Sequence, residues 1–281
     1  MQNVFEMGER RKILHDIWLI LGSCFCVKIW LVYIMKVIFL GTNGWYNTET
    51  GNTPCVLVDT NSCYIVFDAG DGIYKLDNYI TSDKPIYLFL SHFHLEHISG
   101  LHTLNKFRFK QGIRIYGQRG TREILNYVLD HPFTSPMNNL PVKVKIRELS
   151  EGTHRIPFRV TCRPLFHVDP CFGYRIDFGG KVITYCTDTG ICNSSLELAK
   201  NADVLIHDCA EKPEQRSPKW PHTTPQEAAE LAKKANVKQL VLFHFSAAVY
   251  KLIEERKEAE KYARVIFNNT VAAMDGMEIT I

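Results

Sequence analysis

The chain has 281 residues, 46% of them hydrophobic and 22% charged, the composition of a globular protein with a sizeable core. That excludes a disordered chain, a collagen-like rod and a disulfide-stapled miniprotein. The net charge is only +3, from 33 basic and 30 acidic residues, which makes no case for a nucleic-acid binder on charge alone.

The N-terminus is the compositional oddity. Residues 17–27 and 29–35 are apolar or small, split by Lys28 and preceded by Arg10, Arg11 and Lys12. Together they approach the roughly 20 residues that a helix needs to cross a bilayer, and the basic flank fits an anchor with its positive end inside. Lys28 near the centre opposes insertion by about 2.5–3.5 kcal/mol. The same stretch reads equally as an extension ahead of a natural start at Met35. The expected organisation is therefore an apolar extension over 1–34 and one domain over 35–281.

From Met35 on, β runs alternate with helical patterns. Strands are predicted at 37–40, 55–59, 64–68, 86–90, 113–116, 142–148, 159–165, 173–178, 181–186, 204–208, 240–243 and near 277–281, from Val, Ile, Tyr and Phe runs whose ends carry Gly, Asn, Asp or Pro. Helices are predicted at 100–106, 119–129, 194–202, 225–235 and 250–263. The fourth has the clearest start: Thr224 caps, Pro225 takes the first helical position and Glu227 completes a T-x-x-E box. Two groups of strands, each closed by helices, predict a layered α/β sandwich. Nine cysteines without a CxxC pair read as reduced thiols of a cytoplasmic protein.

Eleven histidines are unevenly spread. Ser91-His-Phe-His-Leu-Glu-His97 directly follows the run 86–90, so it sits at the mouth of a strand. In extended backbone His92 and His94 face one side, while Glu96 and His97 can turn towards a second position. Such a group suits Zn²⁺ or a similar borderline metal. His167, Asp188 and His244 each follow a further β run, where a strand holds a ligand rigidly and the loop beyond leaves an ion open to substrate.

The order HxHxEH, His167, Asp188, His244 resembles the metallo-β-lactamase superfamily, and Asp68-Ala-Gly-Asp-Gly72 resembles its Asp/Gly loop beneath the metals. The resemblance runs from Met35 to Ile281. It implies a four-layer αββα sandwich and two divalent ions, zinc or alternatively manganese. His92, His94 and His167 would hold one ion, Glu96, His97 and His244 the other, and Asp188 would bridge them. The departure is Glu96 where the family usually carries Asp, a side chain one C–C bond longer.

Leu205-Ile-His-Asp208 and His222-Thr-Thr-Pro-Gln-Glu-Ala-Ala229 resemble segments of ribonuclease Z-like phosphodiesterases. In that reading a hydroxide shared by two metals about 3.5–4 Å apart attacks phosphorus, Asp208 orients His222, and His222 protonates the leaving oxygen. Glu96, Asp208 and His222 are the catalytic candidates. The family's RNA-binding arm has no room between His167 and Asp188, an interval that reads as a β-hairpin turning at Gly179-Gly180. A small or cyclic phosphodiester is the expected substrate, with RNA as the alternative; Lys106-Phe-Arg-Phe-Lys110 could touch a nucleic-acid backbone, but such alternation is more often half-buried structure. A homodimer is implied by resemblance only. The competing functions are thioester, lactone or β-lactam hydrolysis on the same fold, and a non-catalytic metal- or RNA-binding scaffold.

Overall fold

The computed structural model describes residues 35–215 and 219–281. The apolar head, as anchor or as extension, lies outside them; among the described residues no helix is long and apolar enough to cross a membrane. At Met35 the backbone N–H and C=O both bond Ile281, and β1 (Lys36–Gly41) then runs antiparallel to β16 (Glu278–Thr280) on one side and β3 (Cys55–Asp59) on the other.

Seven strands form the first sheet, in the order β16-β1-β3-β4-β5-β6-β7, with β4 Tyr64–Phe67, β5 Ile86–Phe89, β6 Ile113–Gly117 and β7 Val144–Glu148. The second has the order β15-β13-β12-β11-β10-β9-β8, with β15 Thr270–Ala272, β13 Gln239–Phe243, β12 Val204–Asp208, β11 Lys181–Cys186, β10 Phe172–Phe178, β9 Arg159–Pro164 and β8 Gly152–Arg155. A short parallel pair joins β2 (Asn43–Gly44) to β14 (Phe245–Ser246).

The strands read as continuous apolar runs because both of their faces are buried. Along β1, Val37 and Phe39 enter the core between the sheets, while Ile38 and Leu40 enter a second core on the outer face. Val56 and Val58 alternate with Cys55 and Leu57 in the same way. The inner core is aromatic: Phe67 stacks on Tyr185 with ring centres 4.8 Å apart. Outside the first sheet lie the 3-10 helices Asp71–Asn78 and Ser99–Lys106, the single turn α1 (Leu95–Ile98) and α2 (Thr121–Val128). Outside the second lie α3 (Asn193–Ala199), α4 (Pro225–Lys234) and α5 (Ile253–Ile266). The described residues form the four-layer αββα sandwich that the resemblance implies.

The predicted capping box is present on α4: Thr224 Oγ1 accepts from Glu227 N, and the Glu227 carboxylate accepts from Thr224 N at 3.0 Å. Two local expectations need correction, and one strand was not expected. The helix expected at 100–106 is a 3-10 segment, in which Thr103 Oγ1 donates to the Gly100 carbonyl three residues back. α5 starts at Ile253 rather than at Tyr250, whose side chain is buried with its hydroxyl donating to Glu211 O. The strand β8, with the polar sequence GTHR, is a sheet edge with no buried face to leave an apolar pattern. All seven cysteines among the described residues are unpaired.

Candidate metal centre

Strands β4 and β5 are parallel neighbours in the first sheet, as are β11, β12 and β13 in the second. Their C-terminal ends deliver side chains to one edge of the sandwich: Asp68 after β4, the segment 91–97 after β5, Asp188 after β11, Asp208 at the end of β12 and His244 after β13. Asp68, Asp188 and His244 leave their strands with φ of 57°, 49° and 59°. This left-handed backbone costs a non-glycine residue about 1 kcal/mol or more and collects at functional sites.

Three groups of potential ligand atoms form there, each with its atoms within 4.8 Å of one another: His92, His94, His167 and Asp188; Glu96, His97, Asp188 and His244; and Asp208, His222 and His244. Every site residue expected from the sequence is in one of them. Asp188 belongs to two and presents a different oxygen to each. Its Oδ1 lies 4.0 Å from His92 Nε2 and 3.9 Å from His167 Nε2; its Oδ2 lies 2.9 Å from His97 Nε2 and 3.0 Å from His244 Nε2. Glu96 reaches the second group despite its extra methylene. His92 Nε2, His97 Nε2 and both ring nitrogens of His244 are buried and make no hydrogen bond of acceptable geometry. Buried imidazole nitrogens left this way are costly, and together with a carboxylate they are the donor set of a divalent-metal site.

A layer behind them sets their orientation. Asp68 Oδ2 accepts from Ser91 Oγ (2.9 Å) and Tyr185 OH (2.7 Å) and meets His97 Nδ1 at 2.8 Å, while Oδ1 accepts from Ser91 N (2.7 Å). With Asp68 holding a proton on Nδ1, Nε2 is the His97 atom that a metal ion would take, displacing the proton that Asp188 favours there. Asp208 Oδ2 lies 2.9 Å from His222 Nδ1 and 3.3 Å from His244 Nδ1, and its Oδ1 accepts from Thr223 N. A cavity of about 690 Å³ opens over the centre, lined by His94, Glu96, His167, Asp188, His222 and His244 among others.

Residues 64–245, which carry all of these side chains, match the family described as a beta-lactamase superfamily domain. The chain belongs to that superfamily. It is 27% identical to a ribonuclease Z of Bacillus velezensis, covering 88% of this chain and 99% of that protein. It is 28% identical to one of Bacillus licheniformis, covering 87% and 98%. The first alignment spans 310 positions, more than the 281 residues present here, so that relative carries segments with no counterpart in this chain. Among solved structures, the metallo-β-lactamase fold protein YhfI of Bacillus subtilis superposes with a TM-score of 0.75 at 23% identity, covering 89% of this chain and all of that one. Human tRNase Z, short form, gives 0.68 at 25%, covering 87% and 98%.

The electrostatics of this metallo-β-lactamase fold follow from burial and charge together. Burial alone would depress His97, but the Asp188 and Asp68 carboxylates outweigh it and raise its pKa to about 10. His244 is raised in the same way, chiefly by Asp188. His92 is held well below its ordinary value, by burial first and then by the neighbouring histidines, and burial also lowers His167. Burial opposes ionisation of Asp188 and Asp208, yet the histidines around them keep both below the usual carboxylate range. His222 is raised, the Asp208 charge and hydrogen bond overcoming its burial.

Sequence reasoning missed three supports. Asp169 meets His94 Nε2 at 2.8 Å; its position two residues after His167 was the available signal. Gly44 packs directly on His244, where an added Cβ would fall 2.7 Å from Cε1. Arg256, fully buried on α5, donates to Thr42 Oγ1, Asn43 Oδ1, Thr50 Oγ1 and the Ala273 carbonyl, and so clamps the β2 segment that lies against His244. Residues 106–110 make structural contacts: Phe107 is buried and stacked on Phe109, Lys106 meets Asp77, and Arg108 donates to nearby backbone carbonyls.

Proposed function

We propose that this chain is a metal-dependent phosphodiesterase that uses two divalent ions. The observation that carries the reading is the shared Asp188, one oxygen turned to each of two histidine groups, with the Asp208–His222 pair adjoining the second group. His92, His94, His167 and Asp188 would hold one ion; Asp188, Glu96, His97 and His244 the other. Bound there, such ions supply Lewis-acid stabilisation of phosphoryl charge and lower the pKa of water to near neutrality.

The side chains do the rest. Asp208 engages His222 Nδ1 and favours the protonated ring, whose Nε2–H would donate to the departing oxygen. Glu96 would accept the proton of the attacking water. Thioester, lactone or β-lactam hydrolysis has less need of a proton donor for the leaving group, so the Asp208–His222 pair favours a phosphodiester. A small or cyclic diester is the preferred substrate: the chain between His167 and Asp188 is taken up by the short loop to β10 and the β10–β11 hairpin, and no arm leaves the fold there. RNA is the second reading, favoured by the near-full-length match to proteins named ribonuclease Z.

Protein loaded with zinc or manganese and assayed on bis(p-nitrophenyl) phosphate, with nitrocefin and a thioester in parallel, tests this. Turnover of the diester alone, with two metals per chain by elemental analysis, is expected. Two bound metals without diester turnover would refute the phosphodiesterase.

A further inference from the structure

The cavity has two large aromatic walls that the metal chemistry does not use. Trp45 and Trp220 both line it and are 65% and 46% exposed. They stand by different parts of the centre. Trp220 meets the His94 ring edge-on with ring centres 6.1 Å apart, whereas Trp45 directly follows Gly44, the residue packed on His244. Trp45 also has φ 77°, a left-handed backbone that a bulky side chain rarely adopts, and its indole is propped edge-on by Tyr46 at 5.2 Å. An exposed indole held on a strained backbone at the mouth of a site is disfavoured twice, by hydration and by conformation. Such an outlier points to a function.

We infer that Trp45 and Trp220 form a stacking slot for the base of a single nucleoside whose phosphodiester is delivered to the centre. This rests on the phosphodiesterase reading and narrows its substrate class. Indoles are sequence-tolerant stacking platforms, because every base has a π face. A volume of about 690 Å³ fits one nucleotide, within the usual range of small-molecule sites. Among the described residues that line the cavity there is no Lys or Arg to track a longer phosphate backbone.

Two measurements on the full, zinc-loaded chain separate this inference from its parent. Calorimetric titration compares adenosine 5′-monophosphate with ribose 5-phosphate, which carries an anomeric hydroxyl in place of the base. The nucleotide should bind about tenfold tighter, a preference that W45A and W220A each largely erase and W220F largely keeps. Equal affinities in the unmutated protein, or a preference untouched by both alanine variants, would overturn the slot. Hydrolysis is then compared for thymidine 5′-p-nitrophenyl phosphate and methyl p-nitrophenyl phosphate, which share a leaving group. The ratio of their kcat/KM values should favour the nucleoside and fall in the tryptophan variants, with the loss in KM. If neither ester turns over while the nucleotide preference stands, the phosphodiesterase is refuted and the slot is not; the reverse outcome refutes the slot alone. A KM that keeps falling from dinucleotide to long oligoadenylate would replace a one-nucleoside slot with a polymer track and also overturn it.

Discussion

At the scale of single residues, His222 makes the sharpest claim. A donor of protons to the leaving oxygen matters most when that oxygen departs as an alkoxide and least when it departs as p-nitrophenolate. His222→Ala should therefore slow a dinucleotide by about 100-fold or more and a p-nitrophenyl diester far less, with metal content unchanged. Equal losses on the two substrates would make His222 structural. The raised pKa of His222 has a sign that can be checked as well. The protonated ring is the active form, so activity with the alkoxide substrate is retained below its pKa and lost as pH rises through it. Asp208→Asn removes the charge that raises that pKa and should move the alkaline limb to lower pH; an unmoved limb argues against the pairing. These residues were legible in the sequence because metal and proton chemistry need rare residue types at strand ends, and the HxHxEH run, His167, Asp188 and His244 recur there together although each alone has a bland reading. Gly44 was not legible, since its importance lies in what it touches across space, and Asp169 offered only its place two residues after His167.

At the scale of elements, the clamp between α5 and β2 is the least obvious link. The sequence around Arg256 alternates Glu, Lys and Arg like any solvated helix face. Only the three-dimensional approach of Thr42, Asn43 and Thr50 turns this one arginine inward. Arg256→Met keeps the length and removes the donors, leaving buried acceptors without partners. It should lower unfolding free energy by roughly 2–3 kcal/mol in urea titration, and in the folded fraction weaken the metal site that includes His244. A variant as stable as the parent would show the clamp to be dispensable. Strands with two buried faces were readable as apolar runs, whereas the polar edge strand β8 and the short pairs β2 and β14 carry no such signal, because tertiary pairing alone makes them strands. An exposed tryptophan cannot be told from a buried one by sequence, so Trp45 and Trp220 went unremarked.

At the scale of the whole molecule, the two sheets contribute different halves of one site: the 91–97 segment comes from the first, and His167, Asp188, Asp208 and His244 from the second. Ions held between them would tie the sheets together and favour the folded state, the only one in which these ligands converge. Zinc at about 100 times its dissociation constant should add roughly 2.7 kcal/mol of stability for each site filled, seen as a higher Tm that a chelator reverses; a Tm indifferent to zinc would count against the centre. Since the described ladder begins at Met35, residues 35–281 expressed alone should fold and retain the same metal-dependent Tm, and failure to fold would assign the head a part in the domain. The left-handed turns at Asp68, Asp188 and His244 bear on how such a protein can be handled. Their side chains are aimed by the backbone at the ends of sheet strands, so removing the ions should leave the shape of the cage unchanged. One preparation could then be stripped and refilled by dialysis with zinc, manganese or cobalt in turn, each ion compared on the same folded molecules with no refolding between them.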